Sequence, residues 1–121
     1  MAVSIVDQGK KLLGKKKYNE VISLLEPHVL EYRDSFAFHF YLGLSYLYAG
    51  DIQSAMVYFT RAKQIKPNDS DLLSTYAAMS LRRSLTTDAV EYYLQALEHN
   101  PNCKIAKKGL DIIRKNNSPE K

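Results

Sequence analysis

The feature that most constrains the fold of this chain is a 34-residue period that runs through its 121 residues. When the sequence is shifted by 34 positions, small residues meet small residues, large apolar residues meet large ones, and turn residues meet turn residues. The matched positions are Gly9 with Gly43, Leu12 with Tyr46, Val21 with Ala55 and Ala89, Leu25 with Phe59 and Tyr93, Ala62 with Ala96, Pro67 with Pro101, and Asn68 with Asn102. A fixed period of this size indicates stacked supersecondary units.

The spacing of apolar residues within the middle unit indicates two helices. One face is formed by Leu42, Gly43 and Tyr46, and the other by Ala55, Phe59 and Ala62. Both sets have helical spacing. Gly43 and Ala55 are small where two antiparallel helices must approach closely, whereas Phe59 is large where space must be filled. The pattern therefore predicts a helical hairpin.

These residues resemble the tetratricopeptide repeat, whose pattern has an aromatic residue, Leu-Gly, Tyr, Ala, Phe, Ala and Pro at these offsets. The middle unit reads His39-x-x-Leu42-Gly43-x-x-Tyr46, then Ala55-x-x-x-Phe59-x-x-Ala62, then Pro67, with His39 in place of the leading aromatic residue. The next unit keeps Ala89, Tyr93, Ala96 and Pro101, and the first keeps Ile5, Gln8, Gly9, Leu12, Val21 and Leu25. The resemblance covers about residues 2–103.

The resemblance implies an all-α fold, a right-handed solenoid of antiparallel helix pairs with seven helices. We expect one domain over residues 1–116 and a disordered tail over 117–121. Within the domain, the repeats are expected at about 2–35, 36–69 and 70–103, with a capping helix at 103–116. The predicted helices are 3–14, 18–32, 36–49, 52–65, 70–83, 87–99 and 103–116.

Turn residues predict where several helices begin, end or break. Pro27 lacks an amide donor, so a kink or break is expected near residues 23–27. Gly50 and Asp51 are expected to end one helix and cap the next, and the run 67–70 to do the same between units. Thr86 or Thr87 is expected to cap the helix that carries Ala89.

The distribution of charge leaves two interpretations open. The net charge is +4 over residues 1–17, −4 over 18–103 and +4 over 104–121. These charges either belong to solvated faces and helix caps or favour contact with an acidic partner or nucleic acid. We expect weak, salt-dependent nucleic-acid affinity at most, because a three-repeat solenoid keeps its basic ends apart.

The compartment is predicted from the N-terminus, the uncharged stretch and the cysteine count. The N-terminus lacks a signal-peptide pattern. The longest uncharged stretch, Ser35 to Gly50, is sixteen residues, shorter than the roughly 20 that a membrane span needs. Cys103 is the single cysteine, so no intramolecular disulfide can form. We expect a soluble cytoplasmic protein without a membrane span.

Residue patterns for catalysis or cofactor binding are lacking. His28, His39 and His99 share no motif, and His39 takes the packing position of its repeat. Asp69 and Asp71 fit capping at a helix start better than acid–base work. There is no paired-cysteine zinc spacing and no phosphate-binding glycine loop. We therefore expect no enzyme activity, no cofactor and no metal.

The resemblance also assigns residues to a concave inner surface lined by the first helix of each repeat. In unit one these are Val3, Val6, Lys10 and Leu13; in unit two Ala37, Phe40, Tyr41, Leu44, Leu47 and Tyr48; in unit three Asp71, Ser74, Thr75, Ala78 and Arg82. The predicted partner-binding groove consists of Val3, Val6, Lys10, Ala37, Phe40, Tyr41, Leu44, Leu47, Tyr48, Ser74 and Ala78. One subtype of the family binds the C-terminal carboxylate of chaperones through Lys and Asn. Only Lys10 fits that clamp and Asp71 opposes it, so we expect no such binding.

The groove residues of the middle repeat, 36–69, are unusually apolar for a helix face that would meet only water. Two interpretations remain open: neighbouring first helices cover this face, or it accepts an apolar or amphipathic segment. The favoured function is a non-enzymatic protein–protein interaction module or scaffold that binds such a peptide or helix. The alternative is a self-assembling homo-oligomer, and an adaptor to nucleic acid or anionic membrane is less favoured.

Overall fold

The computed structural model describes residues 4–116, and all regular structure in that range is helical. The seven α-helices are α1 (Ile5–Gly14), α2 (Tyr18–Leu25), α3 (Phe36–Ala49), α4 (Ile52–Ile65), α5 (Ser70–Arg82), α6 (Thr86–His99) and α7 (Lys104–Asn116). The chain divides into two compact units, one ending at Pro67 and the other beginning at Asn68. The first unit contains α1–α4, and the second contains α5–α7.

The core of the first unit combines repeat positions named from the sequence, Val21, Leu25 and Leu42, with Phe38 and Tyr58, which the repeat pattern does not include. Val21, Leu25, Phe38 and Leu42 are fully buried, with Tyr58 beside them. Gly43 lies so close to α4 that a Cβ atom added to it would be 2.6 Å from the Phe59 ring. A side chain at this position would separate the two helices, so glycine is what lets the bulky ring pack at the crossing.

The segment after α2 departs from the predicted helix 18–32. The α-helix ends at Leu25, and Pro27 lies in a short 3₁₀ turn over Glu26–His28. Proline has no amide hydrogen and crowds the preceding turn, so a continuous helix cannot pass through it. The break predicted near residues 23–27 is confirmed, but the helical continuation to residue 32 is wrong.

A backbone conformation recurs with the sequence period. Lys16, Gly50 and Ser84 have φ angles of 61°, 97° and 61°, in the left-handed region, and they are spaced 34 residues apart. After each of them the next amide bonds a carbonyl five residues earlier, namely Lys17 N to Leu12 O, Asp51 N to Tyr46 O and Leu85 N to Ser80 O. This pattern terminates a helix and turns the chain into the next helix of the pair. The same turn therefore forms three times, although only one copy has glycine.

The core of the second unit forms around Tyr93. Leu73, Ala77, Ala89 and Ala96 are buried with it, and α7 adds further residues. The α7 residues that complete this core are Ala106 and Ile113. Gly109 admits the Tyr93 ring, since a Cβ atom there would be 2.3 Å from it.

Two of the three predicted caps are confirmed. Asp51 accepts a hydrogen bond from Ser54 N at 3.1 Å, and Asp69 accepts one from Leu72 N at 3.0 Å. The expected threonine cap is wrong: α6 begins at Thr86 and its cap position is Leu85, without a side-chain hydrogen bond. The left-handed turn at Ser84 fixes where the chain re-enters a helix, and this places Leu85 at the cap.

The predicted division into repeats 2–35, 36–69 and 70–103, with a capping helix at 103–116, stays a prediction, and the tail predicted over 117–121 lies outside the described residues.

Candidate functional site

Helix α3 is apolar on nearly every side, which sets it apart from a surface helix. It begins after Ser35, whose hydroxyl accepts a hydrogen bond from Phe38 N at 3.2 Å, and it ends at Gly50. Its buried side contains Phe38, Leu42 and Gly43. With one side committed to the core, the opposite side would be polar if it met only water.

That opposite side is apolar and partly exposed. We call it the α3 outer face, formed by Ala37, Phe40, Tyr41, Leu44 and Tyr48. All five lie within about a third of the helix circumference at 100° per residue. Tyr48 is 53% exposed, and the other four are half-buried. These side chains form a continuous apolar strip along α3 that retains access to solvent.

Aromatic contacts fix the two ends of this strip. The Tyr48 ring lies 5.3 Å from the Tyr18 ring at the start of α2. Near the other end, Phe40 contacts Phe36 and Phe59 at 5.4 and 6.2 Å between ring centroids. Contacts of this kind hold side chains in place. The strip therefore presents ordered aromatic surface.

The structure separates the remaining predicted groove residues of the first unit into accessible and covered ones. Lys10 is exposed on α1, whereas Leu47 is buried. Tyr41 and Val6 pack in part against the core of the unit. Val3 lies outside the described residues. Leu47 is therefore not available to a partner in this conformation.

In the second unit, the two predicted groove residues differ in the same way. Ala78 is exposed on α5. Ser74 is 1% exposed, and its hydroxyl lies 3.6 Å from the buried Cys103 thiol. Ser74 on α5 thus packs against the sulfur atom of Cys103, which lies in the turn before α7.

A polar cluster on the other side of α3 joins the 3₁₀ turn to α3 and α4. Glu26 accepts a hydrogen bond from the Tyr46 hydroxyl, and the Tyr58 hydroxyl donates to the same carboxylate at 3.1 Å. The two tyrosine rings stack at 5.7 Å. Burial, followed by the hydrogen bond to Glu26, raises the pKa of Tyr46. Burial and the nearby Glu26 charge also raise the pKa of Tyr58. Both phenols are therefore held as neutral donors, in a structural role.

His39 is fully buried, which confirms its predicted packing role. Its Nε2 lies 3.0 Å from the Arg33 carbonyl oxygen and donates to it. Its Nδ1 finds no hydrogen-bond partner within residues 4–116. Burial lowers the pKa of His39 despite the bond to Arg33. The ring is therefore neutral near pH 7, and a second proton would be buried without an acceptor.

Features that would support chemistry are sparse. Between residues 4 and 116, no group of three or more His, Cys, Asp or Glu side chains is arranged to hold a metal ion. Over the same range, no helix combines the length and the apolar character that crossing a membrane requires.

Two open depressions lie on the surface of the first unit. One, of about 280 Å³, is lined by Lys16, Lys17, Tyr18, Asn19, Glu20 and Ala49. It lies beside the exposed Tyr48, whose ring contacts Tyr18. The other, of about 470 Å³, follows α4 and is lined by Met56, Val57, Thr60, Arg61 and Gln64. Both are open to solvent rather than enclosed, unlike the clefts that bury most of a small-molecule ligand.

Sequence reasoning missed the part that Tyr18 plays at the end of the strip. Tyr18 is the first residue of the predicted helix 18–32, and the repeat pattern assigns it no inner position. Its partner Tyr48 lies 30 residues away, so only the packing of α2 against α3 brings the rings together. An aromatic residue directly after a lysine-rich turn was the available signal.

Comparison with known proteins identifies the repeat. Residues 36–69 match the family model described as tetratricopeptide repeat. No curated protein matches the chain. The segment 36–69 is therefore a tetratricopeptide repeat, and the resemblance stated from the sequence is confirmed.

A solved structure shares the fold over almost the whole chain. It is the type III secretion chaperone SycD of Yersinia enterocolitica, in complex with a peptide of the translocator YopD. The TM-score is 0.77 at 12% sequence identity, and the match covers 94% of this chain and 92% of that one. At this identity the likeness shows the fold alone. The predicted fold class, an all-α array of antiparallel helix pairs, is confirmed.

Proposed function

We propose that the chain is a non-enzymatic protein-interaction module that binds an apolar or amphipathic peptide or helix on the α3 outer face. The observation that carries this proposal is the continuous apolar strip of Ala37, Phe40, Leu44 and Tyr48, which keeps access to solvent. Contiguous apolar patches that remain exposed to solvent usually mark a site where a partner binds.

The energetics favour an apolar occupant. Complete burial of a fully exposed Leu or Phe side chain is worth about 1.5–3 kcal/mol. Phe40 and Leu44 are half-buried, so each would contribute the part of this that its remaining exposed area carries. Tyr48 has the largest exposed fraction in the strip and carries a hydroxyl group, so it can contribute both apolar area and a hydrogen bond. The aromatic contacts of Phe40 and Tyr48 reduce the rotamer freedom that would be lost on binding.

A charged residue of the predicted groove favours an amphipathic partner over a purely apolar one. Lys10 on α1 is assigned to that groove by the repeat pattern and is exposed. A lysine beside an apolar surface adds more to partner choice and association rate than to affinity. A segment with an apolar stripe and an acidic flank fits this combination best.

The comparison with SycD supports the class of partner. That chaperone has the same fold and was solved with a peptide of another protein. By analogy, a peptide is a reasonable occupant for this chain. Leu47 and Ser74 are left out of the proposed contact surface because both are buried.

The test uses a probe peptide selected against the purified protein from a displayed library of helical segments. Affinity is then measured by fluorescence anisotropy, and the contact surface by amide chemical-shift changes. We expect shifts centred on Ala37, Leu44 and Tyr48. We also expect Leu44→Arg to weaken binding at least tenfold, since it places a charge in the middle of the strip.

Val57→Arg is the matched control, because Val57 is an exposed apolar residue on α4. It should leave the affinity unchanged. Circular dichroism verifies that both variants are folded. Binding that Leu44→Arg leaves intact, or shifts confined to α4, would contradict the proposed surface.

A further inference from the structure

A second apolar strip lies on the outward side of α7, in the other unit. Ile105 is 55% exposed and Ile112 is 47% exposed, although α7 buries Ala106, Gly109 and Ile113 on its inner side. The two isoleucines are seven residues apart, which is two helical turns or about 10.5 Å. The helix therefore has more apolar surface than the core of its unit uses.

Basic residues flank this strip on its solvent side. Lys104, Lys108 and Lys115 are exposed and lie within about 100° of the isoleucines around the helix. The single acidic residue of α7, Asp111, is held within the helix by Arg114 and by Lys115 Nζ at 3.3 Å. We call this basic and apolar surface the α7 outer face; its members are Lys104, Ile105, Lys108, Ile112 and Lys115.

Helix α6 presents a surface of opposite character. Leu94 is 54% exposed, and Glu91 and Glu98 are exposed on either side of it along the helix. No ion pair occupies either carboxylate within residues 4–116. We call Glu91, Leu94 and Glu98 the α6 outer face.

The two faces match in register as well as in charge. From Lys108 to Ile112 is four residues, and from Ile112 to Lys115 is three. From Glu98 back to Leu94 is also four, and from Leu94 back to Glu91 is three. Two helices laid antiparallel would therefore place Lys108 opposite Glu98 and Lys115 opposite Glu91, with the apolar residues between them. Lys115 would share its charge between Glu91 and the Asp111 carboxylate of its own helix.

We propose that α7 of one copy of this chain docks antiparallel on α6 of a second copy. Both faces are exposed within a single copy, so the contact needs another molecule. The inference does not depend on the α3 outer face, which lies in the other unit. A contact of one helix on one helix is small, so the association is weak. It weakens further with salt, because its ion pairs are exposed.

Complementary charge reversals provide the test. One variant carries Lys108→Glu and Lys115→Glu, and the other carries Glu91→Lys and Glu98→Lys. Sedimentation velocity is run on each protein alone and on an equimolar mixture at low salt. We expect the wild type to self-associate, each variant alone to associate at least tenfold more weakly, and the mixture to recover association.

Net charge does not produce this recovery. Reversing two lysines lowers the net charge of the chain from +4 to zero, so the mixed partners have no opposite overall charges. Lys11→Glu with Lys15→Glu is the matched control, since it changes the charge equally on exposed residues of the first unit. That control should associate as the wild type does.

Two results would overturn the proposal. A wild type that stays monomeric at low salt up to about 1 mM would do so. Variants that self-associate like the wild type would do the same. A monomeric wild type whose α7 outer face instead binds a synthetic acidic amphipathic peptide would assign the face to a different protein. Circular dichroism and thermal melting verify folding, which exposed substitutions should leave within about 0.5 kcal/mol.

Discussion

Helices α3 and α5 occupy equivalent positions of the 34-residue period, yet their outward sides differ in chemistry. Ala37, Leu44 and Tyr48 on α3 correspond to Asp71, Ala78 and Arg82 on α5. The core-facing side is apolar in both helices, with Leu42 and Gly43 buried in one and Leu73 and Ala77 in the other. The period therefore preserves what packs a hairpin and leaves the outward side to vary. Outward positions that differ between equivalent helices are therefore better candidates for partner binding than the packing positions that repeat.

The largest expected effect on stability comes from changing a packing residue that the period preserves. Phe59 is fully buried and packs at Gly43. We expect Phe59→Ala to lower the free energy of unfolding by about 3–5 kcal/mol, as large-to-small core changes do. Urea denaturation followed by circular dichroism measures it. A loss below about 1 kcal/mol would show that Phe59 is not at the centre of the hairpin.

The glycines at helix crossings should give a graded second effect. A Cβ atom at Gly43 would be 2.6 Å from the Phe59 ring, whereas one at Gly9 would be 3.2 Å from Leu25. We expect Gly43→Ala to destabilise by about 1–3 kcal/mol through overpacking. Gly9→Ala should be close to neutral, because alanine's better helix propensity, about 1 kcal/mol, offsets a milder contact.

Thermal melting of the two variants side by side tests that order. Gly109→Ala extends it to the second unit, where the Cβ atom would be 2.3 Å from Tyr93, and it should behave like Gly43→Ala. Equal effects of the changes at Gly9 and Gly43 would contradict the closer approach of the two helices at Gly43.

His39 on α3 gives the stability of the α3–α4 hairpin a dependence on pH that α5 lacks, since the equivalent residue on α5 is Leu73. Burial lowers the pKa of His39 in the folded protein below its usual 6.5, so the unfolded chain binds the extra proton more readily. The stabilisation that comes from a neutral His39 is complete above pH 6.5, and it is lost as the pH falls through the lower pKa of the folded state.

His39→Phe should remove that dependence. The free energy of unfolding, measured between pH 7 and 5, should fall more steeply for the wild type than for the variant. This window lies above the range in which the pKa values of Asp51 and Asp111, lowered by their hydrogen bonds, would act. Parallel pH profiles for the two proteins would rule out His39 as the source.

The smallest expected effect concerns the repeated turn. Lys16 and Ser84 adopt a left-handed backbone that Gly50 adopts without strain. Lys16→Gly and Ser84→Gly should each stabilise the protein by about 0.5 kcal/mol, and Gly50→Ala should destabilise it by about 1 kcal/mol. The three melting temperatures test this directly. A loss of stability in Lys16→Gly would mean that its side chain contributes more than its backbone strain costs.

Much of the fold was predictable because packing residues repeat. Leu42, Gly43, Ala55 and Phe59 identify the hairpin directly. The turns were harder to predict: nothing in a lysine or serine side chain signals the left-handed backbone that Lys16 and Ser84 adopt. The end of α2 was also predicted wrongly, because Pro27 indicates that a helix breaks but does not indicate whether an α-helix resumes after the break.

The candidate site was only partly predictable for a related reason. Inner positions taken from the repeat pattern do not reveal how far each side chain is covered, and that depends on neighbouring helices. Leu47 and Ser74 were assigned to the groove but are buried. Tyr18 was not assigned to it, yet its ring contacts the exposed Tyr48. Exposure is a property of the packed molecule, so it had to come from the structure.

The most direct measurement replaces the outward residues of α3 by their α5 equivalents, in the variant Ala37→Asp, Leu44→Ala and Tyr48→Arg. The peptide selected on the wild type is titrated into both proteins, and folding is monitored by circular dichroism. We predict a folded variant that binds the peptide at least tenfold more weakly. A folded variant with unchanged affinity would contradict the assignment of binding to this side of α3.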